Sequence, residues 1–435
     1  MNSEQNVPPF VTQITGLIRK AGGRAFLVGG CVRDILLETP CKDFDLEIYG
    51  LSGDQIRSAL LGRFELDLVG ASFGVMKVRH HPVDLALPRR ENKIGAGHRG
   101  FLVETCPDLD VAQAAARRDF TINAVMMDPL TGEILDPWNG RTDLKKGILR
   151  HVSEHFSEDP LRVLRGMQFA ARFGFSVAPE TVRLCETLSQ DELAGERIGA
   201  EWEKLLCKGI RPSAGLAFLK QCRWIRFYPE LEALSDSDWA YTLERIDRAA
   251  SLRAGSEDEK ENDMIFMTAA LFRNCADPEA ACRAFCERLR GSVRLAEGAL
   301  RLLRCAPEAD RIRETDDPAL RRLSHRAAGL ALLLKLAEAS GRGEEDPARF
   351  SRIRQRASEL NVLTAPPRPI LMGRDLEACG IKPGPDMGRL LNQCLEAQFD
   401  GRFSTKEDGL RYLNSLKNTS GDIPAGSGRS DKKSQ

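Results

Sequence analysis

The sequence has no net charge, because 63 lysine and arginine residues balance 63 aspartate and glutamate residues in a chain of 435. A protein that attracts nucleic acid through its overall field carries a clear positive excess. Any nucleic-acid binding by this chain must therefore come from a local basic surface.

Long apolar runs are also missing. No stretch approaches the roughly 20 apolar residues that a membrane-spanning helix needs. The N-terminal residues MNSEQNVPPF lack the basic region and apolar core of a secretory signal. We therefore expect a cytoplasmic protein with no membrane partner.

The cysteines are not arranged for zinc. None of the 12 cysteines lies in a C-x-x-C pair, and Cys282 and Cys286, one helical turn apart, have no second pair to complete a site. We interpret them as small buried apolar side chains in a reducing compartment.

Apolar periodicity changes once along the chain. Residues 1–150 mix strand-like runs such as AFLVGG and DFDLEIYG with short helical stretches, whereas apolar residues recur at helical spacing from Pro160 onward. A proline-rich break at 364–369 separates a last segment, and the Gly/Ser-rich end has the composition of a disordered tail. The predicted units are a head (1–150), a neck (151–212), a body (213–365), a tail (366–416) and a disordered end (417–435).

The segment LVGGCVRDILLETPCKDFD, residues 27–45, contains the most informative pattern. Gly29 and Gly30 follow an apolar strand and begin a short helical stretch, where backbone N–H groups can approach a phosphate closely. Asp43 and Asp45 lie two residues apart on the next strand, so their side chains point to the same face, where a divalent cation would relieve their repulsion. Each part alone is commonly a tight turn or a solvated strand edge, but together they indicate a phosphate site beside a metal site.

Two further stretches can contact a nucleotide. In RRDFTINA, residues 117–124, arginine can grip phosphate oxygens while Asp and Asn can hydrogen-bond a ribose hydroxyl. In SEDPLRVLR, residues 157–165, helical spacing groups acidic and basic side chains on one exposed face. The simpler interpretation of the second stretch is a helix start capped by Ser157, and capping is compatible with a role in base recognition.

These three stretches resemble the motifs GG-x-VRD…D-x-D, RRDFTINA and EDxxR of the class II tRNA nucleotidyltransferases and bacterial poly(A) polymerases. The resemblance is strong from residue 24 to about 210 and moderate from 370 to 416. It implies an α/β nucleotidyltransferase head, with a small mixed sheet and helices, followed by an all-α neck, body and tail. The neck would select the nucleotide, and the tail would bind RNA.

The resemblance also implies roles for individual residues. Asp43 and Asp45 would be the catalytic ligands of two Mg²⁺ ions, with Asp84 a candidate third ligand. The residues expected to bind the nucleotide are Gly29, Gly30, Arg33, Asp34, Arg118, Asp119, Asn123, Glu158, Asp159, Arg162 and Arg165. The segment ERIGAE, residues 196–201, is similar to a neck motif that braces the selecting residues.

The activity implied is template-independent addition or repair of the 3′-terminal CCA of tRNA, with CTP and ATP as substrates and pyrophosphate released. The tRNA partner would be held at its acceptor stem and 3′ end, by shape and backbone contacts. A bacterial poly(A) polymerase, an enzyme that adds only CC or only A, and an inactive RNA-binding module of the same fold are the alternatives. The basic, glycine-rich segment 89–100 is similar to a flexible loop of C-adding family members and favours C addition.

Some relatives carry an HD-type phosphohydrolase domain at the position of the body, which requires histidine and aspartate metal ligands. The single histidine beyond residue 155 is His325, and residues 271–274 read Leu-Phe-Arg-Asn. We therefore expect no phosphohydrolase activity from the body.

Overall fold

The computed structural model describes residues 7–67, 75–93, 101–341, 346 and 348–420. Within these ranges a seven-stranded mixed sheet has the order β3-β4-β5-β2-β1-β8-β9, in which β2 and β5 are parallel and the other neighbours are antiparallel. The strands of this sheet are β1 (Arg24–Val28), β2 (Phe44–Tyr49), β3 (Leu66–Asp67), β4 (Val75–Val78), β5 (Val83–Ala86), β8 (Met126–Met127) and β9 (Ile134–Leu135).

Side-chain alternation along β2 explains how the sheet is covered. Leu46 and Ile48 are fully buried on the face that packs on helices α1 (Pro9–Lys20), α2 (Gly30–Leu36) and α3 (Gly53–Leu60). Tyr49 belongs to the opposite face, which packs on the small helix α4 (Val111–Ala116). With both faces covered, Asp45 is the one residue of β2 that stays exposed.

Two small strand pairs flank this sheet. β6 (Arg89–Lys93) and β7 (Phe101–Thr105) are antiparallel, so the predicted loop over 89–100 begins as a strand, while its residues 94–100 lie outside the described residues. β10 (Ile148–Leu149) pairs in parallel with β11 (Ser176–Val177). The expectation of an all-α neck is therefore wrong at β11, because this short segment satisfies its backbone groups on a head strand rather than in a helix.

The rest of the described chain is helical, which confirms the predicted fold class. Helix α5 (Gly140–Lys146) closes the head, and a one-turn 3₁₀ helix (Thr121–Asn123) packs against it. The helices of the neck and body are α6 (Leu161–Phe173), α7 (Pro179–Glu186), α8 (Gly195–Lys208), α9 (Pro212–Gln221), α10 (Pro229–Glu232), α11 (Asp236–Ser251), α12 (Lys260–Phe272), α13 (Pro278–Arg288), α14 (Val293–Ala309), α15 (Asp317–Ala327), α16 (Ala331–Ser340) and α17 (Arg349–Glu359).

A single apolar core joins the neck and the body. Trp202 of α8 donates from Nε1 to the Tyr228 hydroxyl at 2.7 Å, and its ring meets Phe285 edge-on with centroids 4.9 Å apart. All three side chains are buried, and the same cluster extends back to Phe120 in the head. The neck is thereby a rigid support for whatever α6 and α8 present to the head.

The tail has a smaller core of its own, formed by α18 (Gly373–Ala378), α19 (Pro385–Phe399) and α20 (Lys406–Ser420). Helix α20 continues to Ser420, so the predicted disorder is wrong for residues 417–420, where helical hydrogen bonding continues past the change in composition; residues 421–435 lie outside the described residues. No helix in the described part of the chain is both long and apolar enough to cross a membrane.

Gly140 sets the position of the 3₁₀ helix. A methyl group on Gly140 would lie 2.0 Å from the Thr121 carbonyl oxygen and 2.7 Å from Val125 Cγ2. We expect Gly140→Ala to lower the free energy of unfolding by about 2 kcal/mol or more, since overpacking against backbone cannot relax easily. Urea unfolding monitored by circular dichroism measures the change.

The matched control is Gly16→Ala in the interior of α1, where a methyl group meets nothing within 4 Å. This substitution should leave stability unchanged or raise it by about 0.5–1 kcal/mol, because alanine is the better helix former. Equal stability of the two variants would contradict the close packing of Gly140 on Thr121.

Candidate functional site

A cavity of about 550 Å³ opens between the head and the neck. Strand β2 and the turn before α2 contribute its head side, while α6 and α8 contribute its neck side. Its charged lining comprises seven basic side chains and three carboxylates, namely Arg33, Arg118, Arg162, Arg165, Arg172, Arg197 and Lys204 with Asp45, Asp119 and Asp159. The excess of positive charge suits a polyanionic ligand.

The glycine turn forms the floor of the cavity. Gly29 has φ of 74°, a conformation that glycine adopts without strain. A methyl group on Gly29 would lie 3.3 Å from Arg118 Nη1 and 3.8 Å from Asp45 Oδ2. The backbone here is therefore open to a ligand and lies directly beside a cation and a carboxylate.

The predicted metal-binding carboxylates lie at the start of two paired strands. Asp43 directly precedes β2, and Asp45 is the register partner of Asp84 across the parallel pair β2–β5. The cavity walls desolvate the Asp45 carboxylate although part of the side chain stays exposed, and this desolvation, followed by the like charge of Asp84 and then Asp43, raises the pKa of Asp45 above its ordinary value. Asp84 also contacts Lys77, whose Nζ is 3.6 Å from Oδ2.

These donors fit Mg²⁺. Within the described ranges no group of three or more His, Cys, Asp or Glu side chains is arranged so that it could hold a metal ion by itself. Mg²⁺ commonly takes one or two protein carboxylates and completes its shell with water and substrate phosphates. The crowded carboxylates around Asp45 supply such ligands, and a cation would relieve the repulsion that raises the pKa of Asp45.

Arg33 is held inside the protein by polar and aromatic contacts. Its guanidinium donates to Asn123 Oδ1 at 2.8 Å and to Asp34 Oδ1 at 2.7–2.9 Å, and it lies 4.7 Å from the centroid of the Phe173 ring. Arg33 and Asn123 line the cavity, whereas Asp34 does not. Asp34, which was predicted to bind the nucleotide, thus orients Arg33 instead of lining the cavity.

Asp119 connects the head to the neck. Its Oδ1 accepts from the Phe120 backbone N–H and from Asn123 Nδ2, and its Oδ2 accepts from Arg165 of α6 at 2.7 Å. Although burial favours the neutral form, the charge of Arg165 and these hydrogen bonds hold the pKa of Asp119 below its usual range. Asp119 is therefore ionised and buried in the described structure.

Arg118 lies beside the glycine turn, with its Nη1 atom 3.3 Å from where a methyl group on Gly29 would be. It donates from Nη2 to Glu47 Oε2 at 2.7 Å, and Glu47 also accepts from the Tyr49 hydroxyl at 3.0 Å. Glu47 is not among the site residues predicted from the sequence. The signal was present, because Asp43, Asp45 and Glu47 follow the two-residue period of one strand face.

The residues predicted to select the base are separated by the structure. Glu154–Glu158 form a 3₁₀ helix, and Glu158 pairs with the His155 ring at 2.8 Å, away from the cavity. Asp159, not Ser157, accepts from the Leu161 N–H at the start of α6, so the predicted Ser157 cap is wrong. The intervening 3₁₀ turn displaces Ser157 from the helix start.

Asp159 and Arg162 both line the cavity and are both held by the protein. Asp159 Oδ2 accepts from Arg197 of the ERIGAE segment at 2.8 Å. Arg162 donates to the backbone carbonyls of His155 and Arg117 at 2.6 and 2.7 Å. Lys204 and Arg172, which had no motif to mark them, extend the basic wall along α8 and α6.

Comparison with known proteins identifies relatives of the whole arrangement. Residues 25–150 match the family model of the poly(A) polymerase head domain. The multifunctional CCA protein of Laribacter hongkongensis is 35% identical over 321 residues, which cover 67% of this chain and 76% of the relative. The multifunctional CCA protein of Chromobacterium violaceum (40% identical, 48% of this chain) and the CCA-adding enzyme of Actinobacillus succinogenes (38%, 52%) match over shorter segments. The chain spans about half the length of these last two relatives, 51% and 57%.

Solved structures share the fold over nearly the full chain. The CCA-adding enzyme of Bacillus stearothermophilus in complex with CTP superposes with a TM-score of 0.73 and 22% identity, covering 95% of this chain and 99% of that one. The Thermotoga maritima CCA-adding enzyme complexed with tRNA gives 0.64 at 19% identity, covering 95% and 97%. At such identities the likeness establishes the fold.

The buried Asp119–Arg165 contact should contribute measurably to stability. We expect Asp119→Asn to lower the free energy of unfolding at pH 7 by about 1–3 kcal/mol, because Arg165 loses its charged partner. The pKa of Asp119 is lowered in the folded state, so its contribution is complete above the ordinary Asp pKa of about 3.9 and is lost as the pH falls through the lowered value. Urea unfolding of both proteins as a function of pH measures this.

The control is Asp54→Asn, which removes a 92% exposed carboxylate beside Arg57. Exposed pairs contribute little, so this variant should match the wild type at every pH. A stability loss in Asp119→Asn that stays constant to the lowest pH would contradict the ionised, buried state of Asp119.

Proposed function

Because the chain belongs to the family of CCA-adding enzymes, we propose that it is a template-independent tRNA nucleotidyltransferase that adds or repairs the 3′-terminal CCA with CTP and ATP. The observation that carries this proposal is the single cavity that unites Gly29, Gly30 and Asp45 of the head with Asp159 and Arg162 of the neck. Phosphate binding, metal binding and base recognition would then act on one nucleotide.

The head supplies the groups for nucleotidyl transfer in this proposal. Gly29 would leave its backbone open to the triphosphate, and Arg118 Nη1 and Arg33 Nη2 lie 3.3 and 3.4 Å from where methyl groups on Gly29 and Gly30 would be, with both arginines lining the cavity. Asp43 and Asp45, with Asp84 as a candidate, would hold two Mg²⁺ ions. When bound, these ions would activate the tRNA 3′ hydroxyl and neutralise charge on the triphosphate and the leaving pyrophosphate.

The neck supplies base selection. Asp159 and Arg162 offer an acceptor and donors on a rigid support, and Arg197 fixes the Asp159 carboxylate. Arg162 keeps N–H groups beyond the two that bond backbone carbonyls, since a guanidinium has five. Glu158 lies away from the cavity and would act on the base only through His155, whose backbone carbonyl accepts from Arg162. The tRNA acceptor stem would contact the body and tail. A cytoplasmic location stays a prediction from the sequence.

Poly(A) addition is the second candidate, since the matching head model is that of poly(A) polymerases. The test uses purified protein with tRNA lacking CCA, tRNA ending in CC and an unrelated RNA. CTP and ATP are given separately and together, and products are resolved at single-nucleotide length. CCA addition confined to tRNA supports the proposal. Long A tails on any RNA, or addition that stops at CC, would contradict it.

Loss of a metal ligand should stop the chemistry for both nucleotides. We expect Asp45→Ala to reduce CTP and ATP incorporation about 100- to 1,000-fold with little change in tRNA affinity, because it removes transition-state stabilisation and leaves the RNA surface intact. Primer extension and filter binding measure the two effects. Asp54→Ala, which removes an exposed carboxylate from the same head, should behave as wild type. Incorporation by Asp45→Ala within a few-fold of wild type would refute the metal site.

A substitution in the neck should lower the selectivity for the correct base without the loss of rate expected for a metal ligand. We expect Arg162→Ala to raise UTP and GTP misincorporation relative to CTP by about 10-fold or more, because a lost hydrogen bond weakens the correct base selectively. Arg172→Ala is the comparison, since Arg172 lines the same cavity about 15 Å further along α6. It should weaken all nucleotides alike. Unchanged selectivity in Arg162→Ala would mean that Arg162 only fastens α6 to the Arg117 and His155 carbonyls.

A further inference from the structure

Strand β2 carries a second acidic side chain, Glu47, two residues after Asp45, and this one is buried. Glu47 is 7% exposed, and its two carboxylate oxygens accept from the Arg118 guanidinium and from the Tyr49 hydroxyl. A buried carboxylate is costly unless its charge is paired and its oxygens are hydrogen-bonded. Both of these contacts are short, so Glu47 is fixed in one orientation.

Tyr49 makes that orientation firm. Its ring packs edge-on against Phe26, with centroids 5.7 Å apart, beneath α4. Burial, followed by the neighbouring charge of Glu47, raises the pKa of Tyr49, so the hydroxyl keeps its proton and donates it. The Glu47 carboxylate therefore accepts from a packed hydroxyl that stays protonated near neutral pH.

Glu47 holds Arg118 in a position where one of its buried N–H groups has no hydrogen-bond partner in the described structure. The Nε of Arg118 is buried with no hydrogen-bond partner in the described structure, while Nη1 lies 3.3 Å from where a Gly29 methyl would be. A buried donor without a partner is unfavourable. The contact with Glu47 thus fixes the guanidinium beside the glycine turn rather than where its donors would all be satisfied.

Asp45 is the competing partner. The positive charge of Arg118 acts on the Asp45 carboxylate, which lies 3.8 Å from the same Gly29 methyl position. Without Glu47, Arg118 would be drawn to Asp45 and would occupy the carboxylate that the metal requires.

We propose that Glu47, oriented by Tyr49, is a positioning residue that holds Arg118 beside Gly29 for the anionic part of the incoming nucleotide and keeps Arg118 off Asp45. This inference rests on the proposed nucleotidyl transfer. It predicts two linked defects when Glu47 is removed, weaker nucleotide binding and a greater requirement for Mg²⁺.

The test compares Glu47→Ala, Glu47→Gln and Glu133→Ala by steady-state incorporation of CTP and ATP into tRNA. Glu47→Ala should raise the nucleotide KM about 10-fold or more and also raise the Mg²⁺ concentration for half-maximal rate, with a smaller effect on kcat. Glu47→Gln should restore most of the KM, because its amide can accept from Arg118 and donate to Tyr49. Glu133→Ala removes an exposed head carboxylate that pairs with Arg24 and should match wild type.

A double variant isolates the route of the effect. If Glu47 acts through Arg118, then Glu47→Ala should change neither KM nor the Mg²⁺ requirement further in an Arg118→Ala background. Additive effects would overturn the proposal. So would an unchanged KM and Mg²⁺ requirement in Glu47→Ala, or a loss of activity that only follows a lower melting temperature and that Gln does not rescue.

Failure of the proposed function gives a different result. In that case the wild-type protein itself would not extend tRNA with CTP or ATP. Equilibrium binding of ATP with Mg²⁺ to the wild type, Glu47→Ala and Glu47→Gln would then still test the positioning role. Equal affinities in all three proteins would refute it.

Discussion

The rest of the site depends on the hydrogen bonds that the buried Asp119 carboxylate accepts. This carboxylate accepts from Asn123 on one side and from Arg165 of α6 on the other, and Asn123 in turn accepts from Arg33. A continuous chain of charge-assisted hydrogen bonds thus runs from the glycine turn of the head to the first turns of the neck. Such bonds are among the stronger polar contacts in proteins, and in a water-poor setting they fix geometry closely.

Packing on both sides holds this series of hydrogen bonds in place. On the head side, Gly140 packs closely against the 3₁₀ helix that contains Asn123. On the neck side, α6 shares one core with α8 and the body. The cavity between them therefore has a preset width. The base discrimination that we propose for this cavity would need such preorganisation, because its donors and acceptors must not adapt to the wrong base.

The sequence predicted the fold class and the segments of the site because those features depend on local patterns. Strand alternation placed Asp43 and Asp45 on one face, and glycine chemistry marked the turn. It did not find Arg172 or Lys204, which join the cavity only when distant elements pack together, and it missed Glu47 although the two-residue period of β2 marked that position. It also misjudged Glu158 and Ser157, because a 3₁₀ turn ahead of Pro160 shifts both away from the helix start. Local propensity alone does not determine where such a turn ends.

In the proposed enzyme, one nucleotide occupies the cavity with its triphosphate on the glycine turn and metal at Asp43 and Asp45. The most direct test is a crystal structure of the protein with Mn²⁺ and a non-hydrolysable CTP analogue, using anomalous scattering to locate the metal. We expect anomalous peaks within bonding distance of Asp43 and Asp45, the triphosphate against Gly29 and Gly30, and the base facing Asp159 and Arg162. Metal bound elsewhere, or a nucleotide outside the head–neck cavity, would contradict it.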